Sequence, residues 1–171
     1  MSINVVQRGL IKSLSFLMVF ILYIMPNLAG KISCTSSYSP TSNVNMGTFD
    51  PYNYTNIVIP VTLTITCSGP ENKGDPISYL YTFDGGGGGN MSARRMALSS
   101  NYINYGLCTT SGCKENYGTG SKGTYLVSNN YKLPSSARSD SWILYFVVPV
   151  QPLSTPGTYN DTINVSLSLS Y

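Results

Sequence analysis

Thr162-Ile163-Asn164-Val165-Ser166-Leu167-Ser168-Leu169-Ser170-Tyr171 carries the pattern from which the architecture follows. Ile163, Val165, Leu167, Leu169 and Tyr171 alternate with Thr162, Asn164, Ser166, Ser168 and Ser170, the period of two that sets one face of a β-strand on a core and the other in water. A second stretch does the same: Ile57, Ile59, Val61, Leu63, Ile65 and Cys67 face one way, and Thr62, Thr64 and Thr66 the other, with Val58 as the exception. Pro60 cannot donate to a ladder, so it predicts an edge position or a bulge at that point. Between these two strands lie Ile77 to Phe83, Met91 to Leu98, Tyr102 to Leu107, Thr124 to Val127 and Trp142 to Val148, most of them β-branched or aromatic and bounded by Gly, Pro, Asn or Ser. Trp142-Ile143-Leu144-Tyr145-Phe146-Val147-Val148 is apolar on both faces and predicts a central strand covered from two sides. Outside the first residues no segment has a helical period, and short strands at this spacing predict a β-sandwich.

A chain of 171 residues is long enough for one domain with a real core. Only 10% of its residues are charged, and Tyr, Ser, Thr, Asn and Gly take the place of Lys and Glu, an extracellular kind of surface. Arg8 and Lys12 precede the apolar run Leu14 to Met25, and Pro26, Asn27, Leu28, Ala29 and Gly30 follow it, so residues 1–30 predict a secretory signal cut near Ala29 or Gly30. That run falls short of the roughly 20 residues a membrane span needs, so no integral span is expected in the mature chain, residues 31–171. Without the leader the formal charge of +3 falls to about +1, with no basic run beyond Arg94-Arg95, which argues against nucleic acid.

Cys34, Cys67, Cys108 and Cys113 all follow the leader, and an even count in an exported chain predicts two disulfides. Of three possible pairings we favour Cys34 with Cys67 and Cys108 with Cys113, since the Gly and small polar residues between the latter two let the chain turn back in one tight loop. The spacings do not suit a zinc site, and the chain has no histidine. That absence also excludes a Ser-His-Asp constellation and the commonest general base. Asp50, Asp75, Asp84, Asp140 and Asp161 each sit beside Pro, Gly, Ser or Asn, where Asp ordinarily holds a turn; nothing in their spacing favours a two-carboxylate glycosidase. No enzyme activity and no cofactor are expected. Asp84 to Asn90, with five consecutive glycines, lacks the Gly-Lys-Ser/Thr ending of a phosphate loop and predicts a flexible inter-strand turn.

Several stretches together resemble the spore coat protein U domain family, whose best-understood members look like subunits of archaic chaperone–usher pili. They are Cys34 followed by Val44-Asn45-Met46-Gly47-Thr48-Phe49-Asp50-Pro51, Leu63-Thr64-Ile65-Thr66-Cys67, Asp84 to Gly89 with Arg94-Arg95-Met96, Ile103-Asn104-Tyr105-Gly106-Leu107, Tyr117-Gly118-Thr119-Gly120, and Pro156-Gly157-Thr158-Tyr159-Asn160-Asp161-Thr162. Cys108 and Cys113 depart from the family pattern, as does Phe146-Val147-Val148-Pro149. The resemblance implies an all-β, incomplete immunoglobulin-like β-sandwich lacking its final strand, with an exposed edge and an open core. A periplasmic chaperone would fill the groove first, and a neighbouring pilus subunit's N-terminal arm would replace it at the outer-membrane usher, by β-augmentation. The acceptor groove implied is Val44, Met46 and Phe49 on one side and Ile163, Val165, Leu167 and Leu169 on the other. The chain's own residues already occupying the slot beside the C-terminal strand would count against the polymer-subunit reading as a whole.

A donor arm needs about 5–6 alternating residues ahead of the domain, and only Lys31, Ile32 and Ser33 separate the expected cut from Cys34. The expectation is therefore an exported structural and adhesive subunit, passing through the periplasm to the cell surface, that accepts a strand without donating one and sits at a distal or tip-like position. The rival expectations are a secreted cell- or spore-surface coat protein and a stand-alone carbohydrate-binding module.

Overall fold

The computed structural model describes residues 2–8, 32–40, 44–46, 55–69, 74–121, 123–134, 136–152 and 155–171. Among the described residues nine strands follow in chain order: β1 (Ser2–Arg8), β2 (Ser33–Ser39), β3 (Ile57–Ser68), β4 (Pro76–Phe83), β5 (Arg94–Leu98), β6 (Asn101–Cys108), β7 (Val127–Lys132), β8 (Arg138–Val148) and β9 (Thr162–Ser170). They form a four-stranded sheet in the order β1-β9-β4-β7 and a five-stranded sheet in the order β2-β3-β8-β6-β5. Every pairing is antiparallel except that of β1 with β9.

The two sheets enclose one core, drawn from alternate positions: Val61, Leu63 and Ile65 of β3, Ile77, Tyr79, Tyr81 and Phe83 of β4, Leu144 and Phe146 of β8, and Ile163, Val165 and Leu167 of β9. Each such aliphatic side chain contributes about 1.5–3 kcal/mol when withdrawn from water, so the alternation read in β3 and β9 is also the main source of cohesion. Pro60 lies in β3 beyond the stretch that β2 covers, which runs only from Thr62 to Ser68, so its missing donor falls where β3 has a ladder on the β8 side alone.

β8 is the middle strand of its sheet, but two-sided burial is confined to its end. Phe146, Val147 and Val148 are buried, whereas Ile143 is 48% exposed, because β6 covers β8 only from Tyr145 to Val147. The segment from Thr124 becomes a strand only at Val127 and runs on to Lys132, through Ser128-Asn129-Asn130, which have little β-propensity of their own. Pairing with β4 supplies what propensity does not. The expected turn at Asp84 to Asn90 is a built feature: Gly86–Gly88 make a single 3-10 turn, and at Gly86 (φ +62°) a Cβ would collide with the Asp161 carboxylate.

The larger departure concerns the slot beside β9. The expectation of an open edge is not met, since the chain's own Ser2–Arg8 lie along β9 in parallel register from Ser2 opposite Thr162 to Arg8 opposite Ser168. Position and charge mark this stretch as the start of a leader, yet Ser2-Ile3-Asn4-Val5-Val6-Gln7-Arg8 also carries β-branched residues at a strand's spacing. The apolar run Leu14 to Met25 and the cut site lie outside the described residues. Residues 32–171 by themselves form an immunoglobulin-like sandwich that lacks this one strand.

Candidate functional site

Two features meet on β9: the edge along which a strand pairs, and a polar cluster that fixes where β9 begins. The cluster starts from Arg94, the first residue of β5, which is fully buried. Its Nε donates to the Asp84 carbonyl (2.9 Å), its Nη1 to that of Met91 (2.7 Å), and its Nη2 to those of Asp84 (2.7 Å) and Tyr117 (2.8 Å). Burial pulls the guanidinium pKa below its ordinary value, and Tyr105, Asp84 and Asp161 pull it the other way.

Asp161 stands at the threshold of β9. Its Oδ1 accepts from the Gly87 N–H (2.7 Å) and the Thr162 N–H (2.8 Å), and its Oδ2 from the Tyr105 hydroxyl (2.6 Å). Burial and that hydrogen bond raise the Tyr105 pKa far above the phenolic norm, so Tyr105 stays a donor. Asp84 grips β9 from the other side: Oδ1 accepts from the Gly86 N–H and the Asn164 N–H (both 2.9 Å), and Oδ2 from the Asn164 side chain (2.6 Å). Asn160, one residue earlier, exchanges two backbone hydrogen bonds with Ala97 of β5. The chain thus crosses from one sheet to the other at Asn160-Asp161 and enters β9 with its register pinned.

The reading of Asp84 and Asp161 as turn holders is correct in part, since each bonds a nearby N–H, but each also makes bonds about 80 residues away in sequence or nearly so. Asp161→Ala strips a partner from Gly87, Thr162 and Tyr105 and is expected to lower unfolding free energy by about 3 kcal/mol in urea titrations, with Asp161→Asn costing about 1. Asp140 is no turn residue. It lies within β8 and clasps the two sheets, accepting from the Tyr79 hydroxyl (2.8 Å), Asn129 Nδ2 (3.2 Å) and Arg138 Nε (3.1 Å), while the Arg138 guanidinium lies over the Tyr131 ring at 4.0 Å.

Along β9, Ile163, Val165 and Leu167 are buried and Leu169 is partly so; Tyr171 is 66% exposed. Val44 is buried, Met46 packs against the same core, and Phe49 lies outside the described residues. Disulfides join Cys34 to Cys67 and Cys108 to Cys113. The first links residues directly opposite in the β2–β3 register. Residues that sequence reasoning missed line the interior nearby: Tyr81 of β4 and Tyr38 of β2, whose hydroxyls are buried without a hydrogen-bond partner. Among the described residues no group of His, Cys, Asp and Glu could hold a metal, and no helix is long and apolar enough to cross a membrane.

The family model described as the Spore Coat Protein U domain matches residues 26–166. None of the curated proteins matches the sequence. Among solved structures, a chain of the CsuC–CsuE chaperone–tip adhesion subunit pre-assembly complex, from archaic chaperone-usher Csu pili of Acinetobacter baumannii, aligns with a TM-score of 0.49 and 16% identity. The alignment covers 80% of this chain and 40% of that one.

Proposed function

The chain belongs to the spore coat protein U domain family, and from that premise we propose that it is an exported structural subunit of an archaic chaperone–usher pilus that accepts a donated strand beside β9. The observation that carries this reading is where β1 comes from. The family match begins at residue 26, so the strand lying on β9 comes from outside the matched domain. Take residues 2–8 away with a cleaved leader, and β9 becomes an outer strand with Ile163, Val165 and Leu167 beneath an open slot, a template for β-augmentation. Val44, Met46 and Phe49 would form the opposite lip, and a periplasmic chaperone, the usher and a neighbouring subunit would be the successive partners. No enzymatic role is proposed.

A distal or tip-like position follows from the short stretch ahead of the domain. β2 begins at Ser33, so a cut near Gly30 leaves no strand's length to donate. A second reading, a cell-surface coat protein that keeps its first residues and completes its own sheet with them, is favoured by β1 in its slot.

The two readings part in an export experiment. With a chaperone from the same genome supplied alongside, the yield of soluble, oxidised protein is expected to rise at least several-fold over export without it. Equal yield and equal stability in both conditions would favour the self-completing coat protein and end the pilus reading.

A further inference from the structure

β2 is an edge of the five-stranded sheet, and among the described residues no strand pairs with its outer side. Its register against β3 tells which main-chain groups face that side. Cys34 stands directly opposite Cys67 at a Cα–Cα distance of 4.0 Å. That is the close approach of a non-hydrogen-bonded antiparallel pair, about 4.5 Å against about 5.5 Å for a bonded one. The two kinds of pair alternate, so Ser33, Thr35, Ser37 and Ser39 bond to β3, and the N–H and C=O groups of Cys34, Ser36 and Tyr38 point away from the sheet.

Native sheet edges are ordinarily guarded by charge, proline, a bulge or brevity. β5, the opposite edge of the same sheet, is five residues long and carries Arg94 and the exposed Arg95. β7, an edge of the other sheet, ends on the exposed Lys132. β2 has seven residues in one-to-one register with β3, with no charged side chain and no proline. The Cys34–Cys67 bridge ties it to β3, so this edge is held in place as well as unguarded.

We propose that β2 joins a second copy of the chain, strand against strand, in antiparallel two-fold pairing centred on Ser36. The outward main-chain groups are symmetric about that residue. A two-fold axis there sets Ser36 against the partner's Ser36, Cys34 against the partner's Tyr38 and Tyr38 against the partner's Cys34, and each opposed pair exchanges two hydrogen bonds. Every outward group of the edge is thereby satisfied. Between these pairs Thr35 meets the partner's Ser37 at the closer, non-bonded spacing; Thr35 and Ser37 are exposed and uncharged, as are Thr62, Thr64 and Thr66 in the next row uncharged, so two copies meet without like-charge repulsion. The contact lies on the sheet that lacks β9, so it goes beyond the strand-acceptor reading and does not depend on it: it ties subunits side by side.

The test is amide exchange of the full-length chain, in which β1 already lies on β9, beside sedimentation over about a hundredfold range of concentration. The Ser36 and Tyr38 amides are expected to exchange at least about tenfold more slowly at the high end, and those of Thr35 and Ser37, already bonded to β3, to change little. Thr35→Lys/Ser37→Lys sets like charges directly opposite each other, and Thr35→Lys/Ser37→Glu sets opposite charges there. The dissociation constant of the first variant is expected to exceed that of the second by at least about tenfold. A chain that stays monomeric throughout the range, or equal dissociation constants in the two variants, would overturn the proposal. So would slow exchange at Ser36 that does not vary with concentration, since another segment of the same chain would then cover the edge. None of these outcomes bears on the slot beside β9.

Discussion

Arg94→Met is expected to leave little or no soluble folded protein. Met nearly matches the length of the arginine stem and keeps its apolar packing, but it donates nothing. The carbonyls of Asp84, Met91 and Tyr117 then lose the partner that reaches all three from one side chain. At about 1–3 kcal/mol for each buried acceptor left unpaired, the loss is roughly 5 kcal/mol, comparable with the whole stability of many domains. Arg94→Lys is expected to fall between, because an ammonium lacks the planar fork that reaches several carbonyls at once. Urea unfolding of whatever folds, together with soluble yield, measures both. A Met variant within about 1 kcal/mol of the parent would show that Arg94 does not hold this end of the sandwich together.

Removing the Cys34–Cys67 bridge by Cys34→Ser/Cys67→Ser is expected to cost about 4 kcal/mol by loop entropy, against about 2 for Cys108→Ser/Cys113→Ser, since the bridges span separations of 33 and 5 residues. The larger effect also has a specific place. β2 is Ser33-Cys34-Thr35-Ser36-Ser37-Tyr38-Ser39, an edge strand in which only Cys34, Ser36 and Tyr38 are even partly buried. Its apolar contribution is small, so its attachment relies on backbone pairing with β3 and on a bridge between two residues in register. The first double variant should therefore lose amide protection across β2 well below the global midpoint, and the second should not. Retained β2 protection in the first variant would place the strand's attachment elsewhere.

The legible parts of this fold are those where burial alternates with the sequence. β3, β4 and β9 have one apolar and one polar face, and the fold follows from them. β2 and β7 were harder because their residues, Ser-rich in one case and Asn-bearing in the other, are strands by virtue of their neighbours. β2 went unread, and β7 was read only near its first residue. The polar cluster was half legible. Its members, Asp84, Arg94, Tyr105, Tyr117 and Asp161, all occur in the stretches that resemble the family, but their convergence depends on crossing from β5 to β9 at Asn160, which no local pattern announces. Tyr81 and Tyr38 read as ordinary strand aromatics, because a hydroxyl's want of a partner is a property of the packed interior. β1 was masked by a competing pattern, since a basic, short N-terminus before an apolar run signals a leader whatever strand propensity it also has.

Arg94 is held by main-chain oxygens in place of carboxylates, and that choice governs which environments can loosen its grip on the carbonyls of Asp84, Met91 and Tyr117. Peptide carbonyls do not take up protons as acidity rises, and a guanidinium keeps its own, so none of these bonds is undone by neutralising a counter-ion. Sealed from solvent, they are also screened little by dissolved ions. The fastener would suit the exported subunit proposed above, which meets acid or brine outside the cell.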